Sequence, residues 1–159
     1  MSYKATKEIH EALRKHGLKA NIEETATRSM VHVGFMTENT ENGSPLHIFF
    51  VSRNNDNDVS MRVMQLMHVE EEHVKDVLPV ISRINRDFRY VKFVLDTDNN
   101  IGVEYDLPLS CDAVGKCALE MTACFVKTIG KAYPSCCAQP DKKPMSRKSD
   151  QKRGETQYV

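Results

Sequence analysis

Tyr90-Val91-Lys92-Phe93-Val94-Leu95-Asp96-Thr97-Asp98-Asn99-Asn100-Ile101-Gly102-Val103-Glu104-Tyr105-Asp106-Leu107 is two strand-like runs around one polar turn. Apolar and polar residues alternate on both sides, the period of a half-buried strand, and the Asp/Asn cluster between them is hairpin turn chemistry. A three-residue loop of Asp98, Asn99 and Asn100, with Asn100 left-handed, pairs Leu95 with Val103, Phe93 with Tyr105 and Val91 with Leu107. All six then face one core. Lys92 stands opposite Asp106 on the other face, an opposite-charge pair worth about 0.3 kcal/mol. An even-length loop would scramble both faces.

Just upstream, Val74, Val77, Leu78, Ile81 and Phe88 repeat at helical spacing behind the acidic run Glu70-Glu71-Glu72, which favours a helix N-terminus. Pro79 is expected to loosen the first turns of this helix. Downstream, Val114, Cys117, Ala118, Met121, Phe125, Thr128, Ile129 and Ala132 form one stripe, with Ser110 or Asp112 as cap and Pro134 as the expected end. Towards the N-terminus, residues 30–37, 46–52 and 59–68 read as strands separated by Asn/Asp-rich loops, an antiparallel meander. Val31, Val33 and Phe35 share one face of the first. The second, at 46–51, is apolar on both faces and is expected to be central. Residues 2–16 place Ala5, Ile9, Ala12, Leu13 and His16 at helical spacing before a stop at Gly17. The expected fold is α+β, a five-stranded antiparallel sheet with three helices in the order α-β-β-β-α-β-β-α.

A chain of 159 residues is long enough for one ordinary core. With 22 basic against 22 acidic residues, the whole molecule has no field that would draw it to nucleic acid or anionic lipid. Its apolar runs, such as 47–51, are strand-sized and fall short of the roughly 20 residues a membrane helix needs. The first ten residues alternate charge with apolar side chains and lack a secretory h-region, so a cytoplasmic location is expected. Five cysteines (111, 117, 124, 136 and 137) then behave as small apolar side chains without a disulfide framework. From Gln139 onward there are six basic and three acidic residues and almost nothing apolar, which reads as a disordered tail over 139–159 of net +3. The rest, 1–138, is expected to be a single domain of net −3.

Two runs carry a family resemblance: Ile84-Asn85-Arg86-Asp87-Phe88-Arg89-Tyr90-Val91-Lys92-Phe93-Val94-Leu95-Asp96-Thr97-Asp98, and Val103-Glu104-Tyr105-Asp106-Leu107-Pro108-Leu109. They strongly resemble the YbjN family. Ile48-Phe49-Phe50-Val51-Ser52 and Arg62-Val63 look like its earlier strands, and Ala118-Leu119-Glu120, Phe125-Val126 and Ala132-Tyr133-Pro134 like its last helix. The resemblance covers about residues 25–136. It implies the fold of type III secretion chaperones and a place in bacterial sensory regulation, and it carries over no active-site residue, cofactor or ligand. Homodimerisation is expected by the same fold analogy.

No residue pattern nominates catalysis. A Gly-x-Ser-x-Gly elbow and a Gly-rich phosphate loop are both missing, and the histidines at 10, 16, 32, 47, 68 and 73 show no i, i+4 pairing. His68 and His73 flank Glu70 to Glu72, where a solvated helix start outweighs a weak metal site. Cys136-Cys137 is the single adjacent thiol pair, read as an ordinary helix end, and Cys117 and Cys124 are read as core. No cofactor, metal or catalytic residue is therefore expected.

Methionine is the unusual choice: Met30, Met36, Met61, Met64 and Met67 all fall on the first three strands. Core filling is the favoured account of these five, since those strands must bury one face, whereas thioethers that turn outward suit a surface that accepts varied partners. Met30, Met36 and Met64, with the outer-face charges Lys92, Glu104 and Asp106, are thus the candidate protein-binding residues. The expected function is a non-catalytic, chaperone- or adaptor-like module with a protein partner. The alternative is a nucleic-acid-associated regulator in which the six basic tail residues contact phosphates, at odds with the acidic balance of the rest.

Overall fold

The computed structural model describes residues 3–36, 45–53, 58–108 and 113–138. In chain order the elements are α1 (Lys4–Lys15), β1 (Ala20–Glu24), β2 (Arg28–Phe35), β3 (Leu46–Arg53), β4 (Asp58–His68), α2 (Val74–Asp87) after a 3₁₀ turn at Glu71–His73, β5 (Lys92–Leu95), β6 (Asn100–Pro108) and α3 (Val114–Cys137). The strands form one antiparallel sheet in the order β1-β2-β3-β4-β6-β5. The α+β class and the three helices agree with the sequence reading, and β3 is interior as expected. The expected tail lies outside the described residues, as do Ser110 and Asp112.

The sheet has six strands among the described residues and not five. The strand that periodicity misses is β1, Ala-Asn-Ile-Glu-Glu, in which Ala20 is buried and Ile22 half-buried. It is an edge strand defined by its pairing with β2, from Ala20↔Val33 to Glu24↔Ser29, and no apolar run announces it. Its limits had local signals. Gly17 at φ +79° ends the α1 turn, and Thr25 closes the β1–β2 turn by accepting the Arg28 backbone N–H at 3.1 Å.

All three helices lie on one face of the sheet. Phe50, Phe93 and Phe125 are fully buried between the layers with Ile9, Leu13, Val31, Val33 and Ile48. At the tight crossing of α1 and α3, a Cβ on Gly115 would sit 2.8 Å from the Glu8 carbonyl oxygen and 2.9 Å from the Ala12 methyl, so this position needs glycine. Thr6 and Ser29 satisfy each other in the same layer at 2.7 Å.

Several local expectations are corrected. Leu78 is about half exposed and Ile84 buried, so the core stripe of α2 is Val77, Ile81 and Ile84. Pro134 does not end α3. The helix runs through it to Cys137, because buried Ala132 and Cys136 hold the last turns on the core and losing one backbone donor costs less than losing that packing. Cys136 is accordingly buried, and that burial pushes its thiol pKa up to about 11, the behaviour of an inert core side chain.

The hairpin keeps its faces but not its register. Phe93 pairs with Val103, Leu95 with Ile101 and Lys92 with Glu104, two positions from the expected partners. The left-handed residue is Asn99, at φ 60°, and not Asn100. The cause is Asp96: its carboxylate accepts the N–H groups of Asp98 (2.9 Å) and Asn100 (2.8 Å), turning the chain one residue early. Because the displacement is two, Val91, Phe93, Val103 and Leu107 are still buried.

Candidate protein-binding face

The face of the sheet away from the helices is built from cross-strand rows. One row crosses all six strands: Asn21, His32, Phe49, Arg62, Glu104 and Lys92. The next runs Glu23, Met30, Val51, Ser60 and Asp106. Both follow from strand alternation, since residues 31, 33, 48, 50, 61 and 103 point to the core and their neighbours must point away. This outer face is partly apolar. Met30, Phe49, Val51 and Val94 are half-buried and Met64 is 55% exposed.

The structure brings Met30, Met64, Lys92, Glu104 and Asp106 onto this one face. Met36 stands apart, 76% exposed, one residue beyond the end of β2. Met61 and Met67 are buried, as core filling predicts.

Arg62 is the residue that sequence reasoning missed. Its guanidinium donates to the carbonyl oxygens of Met61 and Tyr105, each at 3.0 Å, and to the Asp106 carboxylate at 2.8 Å, while its Nε lies 3.5 Å from Glu104. It therefore ties β4 to β6 and takes the Asp106 charge that the expected register assigned to Lys92. Lys92 instead opposes Glu104 and donates to the Asn85 carbonyl oxygen at 3.1 Å. A cation in the middle of an otherwise strand-like run was the available signal.

A groove of about 600 Å³ crosses β2, β3 and β4 on this face, lined by Met30, Val51, Met64, Arg28, Arg53 and Arg62, with the Thr27 and Ser60 hydroxyls. Beside it, His32 and His47 pack on Phe49 with ring centroids 5.9 and 6.3 Å away. A β-bulge between Val63 and Met67 distorts β4, and Gly102 of β6 fits there because a Cβ would meet the Val63 carbonyl oxygen at 3.0 Å.

Three further titratable groups, at the hairpin and at the start of α2, are engaged locally. His68 meets the Asn100 side chain at 3.0 Å, whereas His73 lies beside Glu72 (3.5 Å) and Asp76 (3.9 Å). Asp96 is held below its ordinary carboxylate value, chiefly by the Asn100 backbone N–H. Among the described residues no three His, Cys, Asp or Glu side chains converge as metal ligands, and no helix is long and apolar enough to cross a membrane.

No curated protein and no solved structure matches the chain. A family model does, over residues 6–138, under the description "Putative bacterial sensory transduction regulator". That span takes in α1 from Thr6 onward, every strand among the described residues, the hairpin with its Asp96 turn, and α3 to its last residue. The chain belongs to the YbjN family.

Proposed function

We propose that this protein is a non-catalytic regulatory module that works by binding a segment of another protein on the open face of its sheet. The observation that carries this reading is the groove over β2, β3 and β4, where Met30, Val51 and Met64 stay accessible on a sheet whose other face already buries a complete core. Apolar side chains gathered on an uncovered face are what an interaction surface requires, and thioethers adapt to more than one partner shape. The family description, a regulator of sensory transduction, supports the same class of function. Action in the cytoplasm, as an adaptor or chaperone and as a homodimer, belongs to this proposal.

Site-specific photo-crosslinking tests it. A photoreactive phenylalanine at position 49 or 64 is expected to form protein adducts in cells, and one at Leu78 or Lys127, exposed on the helices, to form few. Adducts confined to the helix positions would move the site to the other side of the molecule.

A further inference from the structure

Arg28 and Arg53 stand directly opposite each other across the β2–β3 pair. Like charges in that position destabilise a strand pair. Both side chains are exposed, neither forms an ion pair among the described residues, and Asp58 at the start of β4 forms none with them. Arg62 adds a third guanidinium to the same groove, but its charge is already taken up by Asp106 and Glu104. Among the described residues no carboxylate lines the groove. A local rule broken on an accessible surface, beside uncovered apolar side chains, is what a binding site for an anionic group looks like.

We infer that the groove docks an acidic peptide segment of a partner protein, its carboxylates on Arg28 and Arg53 and its apolar side chains on Met30, Val51 and Met64. The inference rests on the protein-binding reading above and adds the chemistry of the partner. A peptide fits better than nucleic acid, because the row next to the arginine pair begins at Glu23 and ends at Asp106. A phosphate backbone long enough to leave the groove on either side meets those carboxylates, whereas a peptide carries its negative charge at separate positions. The planar, forked guanidinium also matches a carboxylate bidentately. The chain's own segment 139–159, with six basic and three acidic residues, has the wrong charge for this groove. A second copy placed symmetrically about the groove would stack arginine on arginine.

The test is fluorescence anisotropy on the full-length protein with four labelled probes: short peptides alternating Glu with Leu, Lys with Leu and Glu with Ser, and a single-stranded oligonucleotide of similar length. The Glu/Leu peptide is expected to bind at least about tenfold more tightly than the Lys/Leu and Glu/Ser peptides, and to weaken as salt rises. Arg28→Ser with Arg53→Ser is expected to weaken it about tenfold without lowering the melting temperature, since the like-charge contact is relieved. Equal binding of Glu/Leu and Lys/Leu, indifferent to the two substitutions, would overturn the acidic specificity and leave the protein-binding reading intact. Binding of the oligonucleotide alone would overturn both. A dimer by light scattering that dissociates with Phe49→Glu, and from which the Glu/Leu peptide is excluded, would give the face to a second copy and overturn the inference.

Discussion

The two faces of the sheet are made by the same six strands and obey different rules. On the helix side, Val31, Val33, Ile48, Phe50, Met61, Val103 and Phe93 are at most a few per cent exposed and belong to one cluster with α1, α2 and α3. On the open side the same strands carry Met30, Phe49, Val51 and Met64 among Arg28, Arg53, Arg62, Glu104 and Asp106. The first face is chosen for packing. The second keeps an arginine pair whose repulsion works against folding and apolar groups that stay accessible, which is how a surface chosen for something other than stability differs from a core.

The sharpest way to break the contrast is to truncate adjacent phenylalanines on β3. Phe50→Ala, on the core side, is expected to cost about 4 kcal/mol in denaturant unfolding, and Phe49→Ala, on the open side, about 1 kcal/mol. Similar losses would mean that the open face is packed as a core. Gly115→Ala should cost about 2 kcal/mol through overpacking against the Glu8 carbonyl and Ala12 at the α1–α3 crossing, by the same measurement. On the open face, Arg28→Glu reverses the sign: an opposite-charge pair with Arg53 is expected to raise stability by about 0.5 kcal/mol and to raise the melting temperature.

The smallest effect is expected at the hairpin tip. Asp96 has a lowered pKa when folded, so its contribution is complete above the unfolded value of 3.8 and is lost as pH falls through the folded value. Asp96→Asn should flatten the acid limb of stability between about pH 5 and about pH 2, read from thermal melts across that range.

The sheet edges repeat the contrast on a smaller scale. At β5 the Asn85 side chain exchanges two hydrogen bonds with the Phe93 backbone, both 2.8 Å, and so occupies the place of a further strand. At β1 the edge is guarded by charge, with Glu23 exposed and Glu24 held 3.6 Å from Lys7. Asn85 lies within the run that carries the family resemblance, yet nothing in its neighbours shows that its amide will meet a strand eight positions later.

Most of the element plan was legible, and so was the face that β2, β5 and β6 turn to the core. The amphipathic rhythms of α1 and α2, the stripe of α3 and the alternation of β2, β5 and β6 are set by the helical and strand periods, which neighbouring residues express by themselves. Of the candidate site, Met30 and Met64 were not assigned a face, and the position of Glu104 and Asp106 on the outer face followed from strand parity. Their grouping around Arg62 did not, nor did the opposition of Arg28 to Arg53, because residues 25 or more positions apart meet only once the strands have chosen partners.

By itself, then, the sequence determined the α+β class and the inward faces of β2, β5 and β6, which follow from local period, and it carried the family resemblance in the particular residues of two runs. The tertiary structure alone decided that Ala20–Glu24 is a strand, that Lys92 faces Glu104, that α3 passes through Pro134, and that three arginines line one groove. Each of those choices turns on a pairing or a burial between distant segments. A register displaced by two preserves every buried side chain, so only the particular hydrogen bonds of Asp96 separate one alignment from the next.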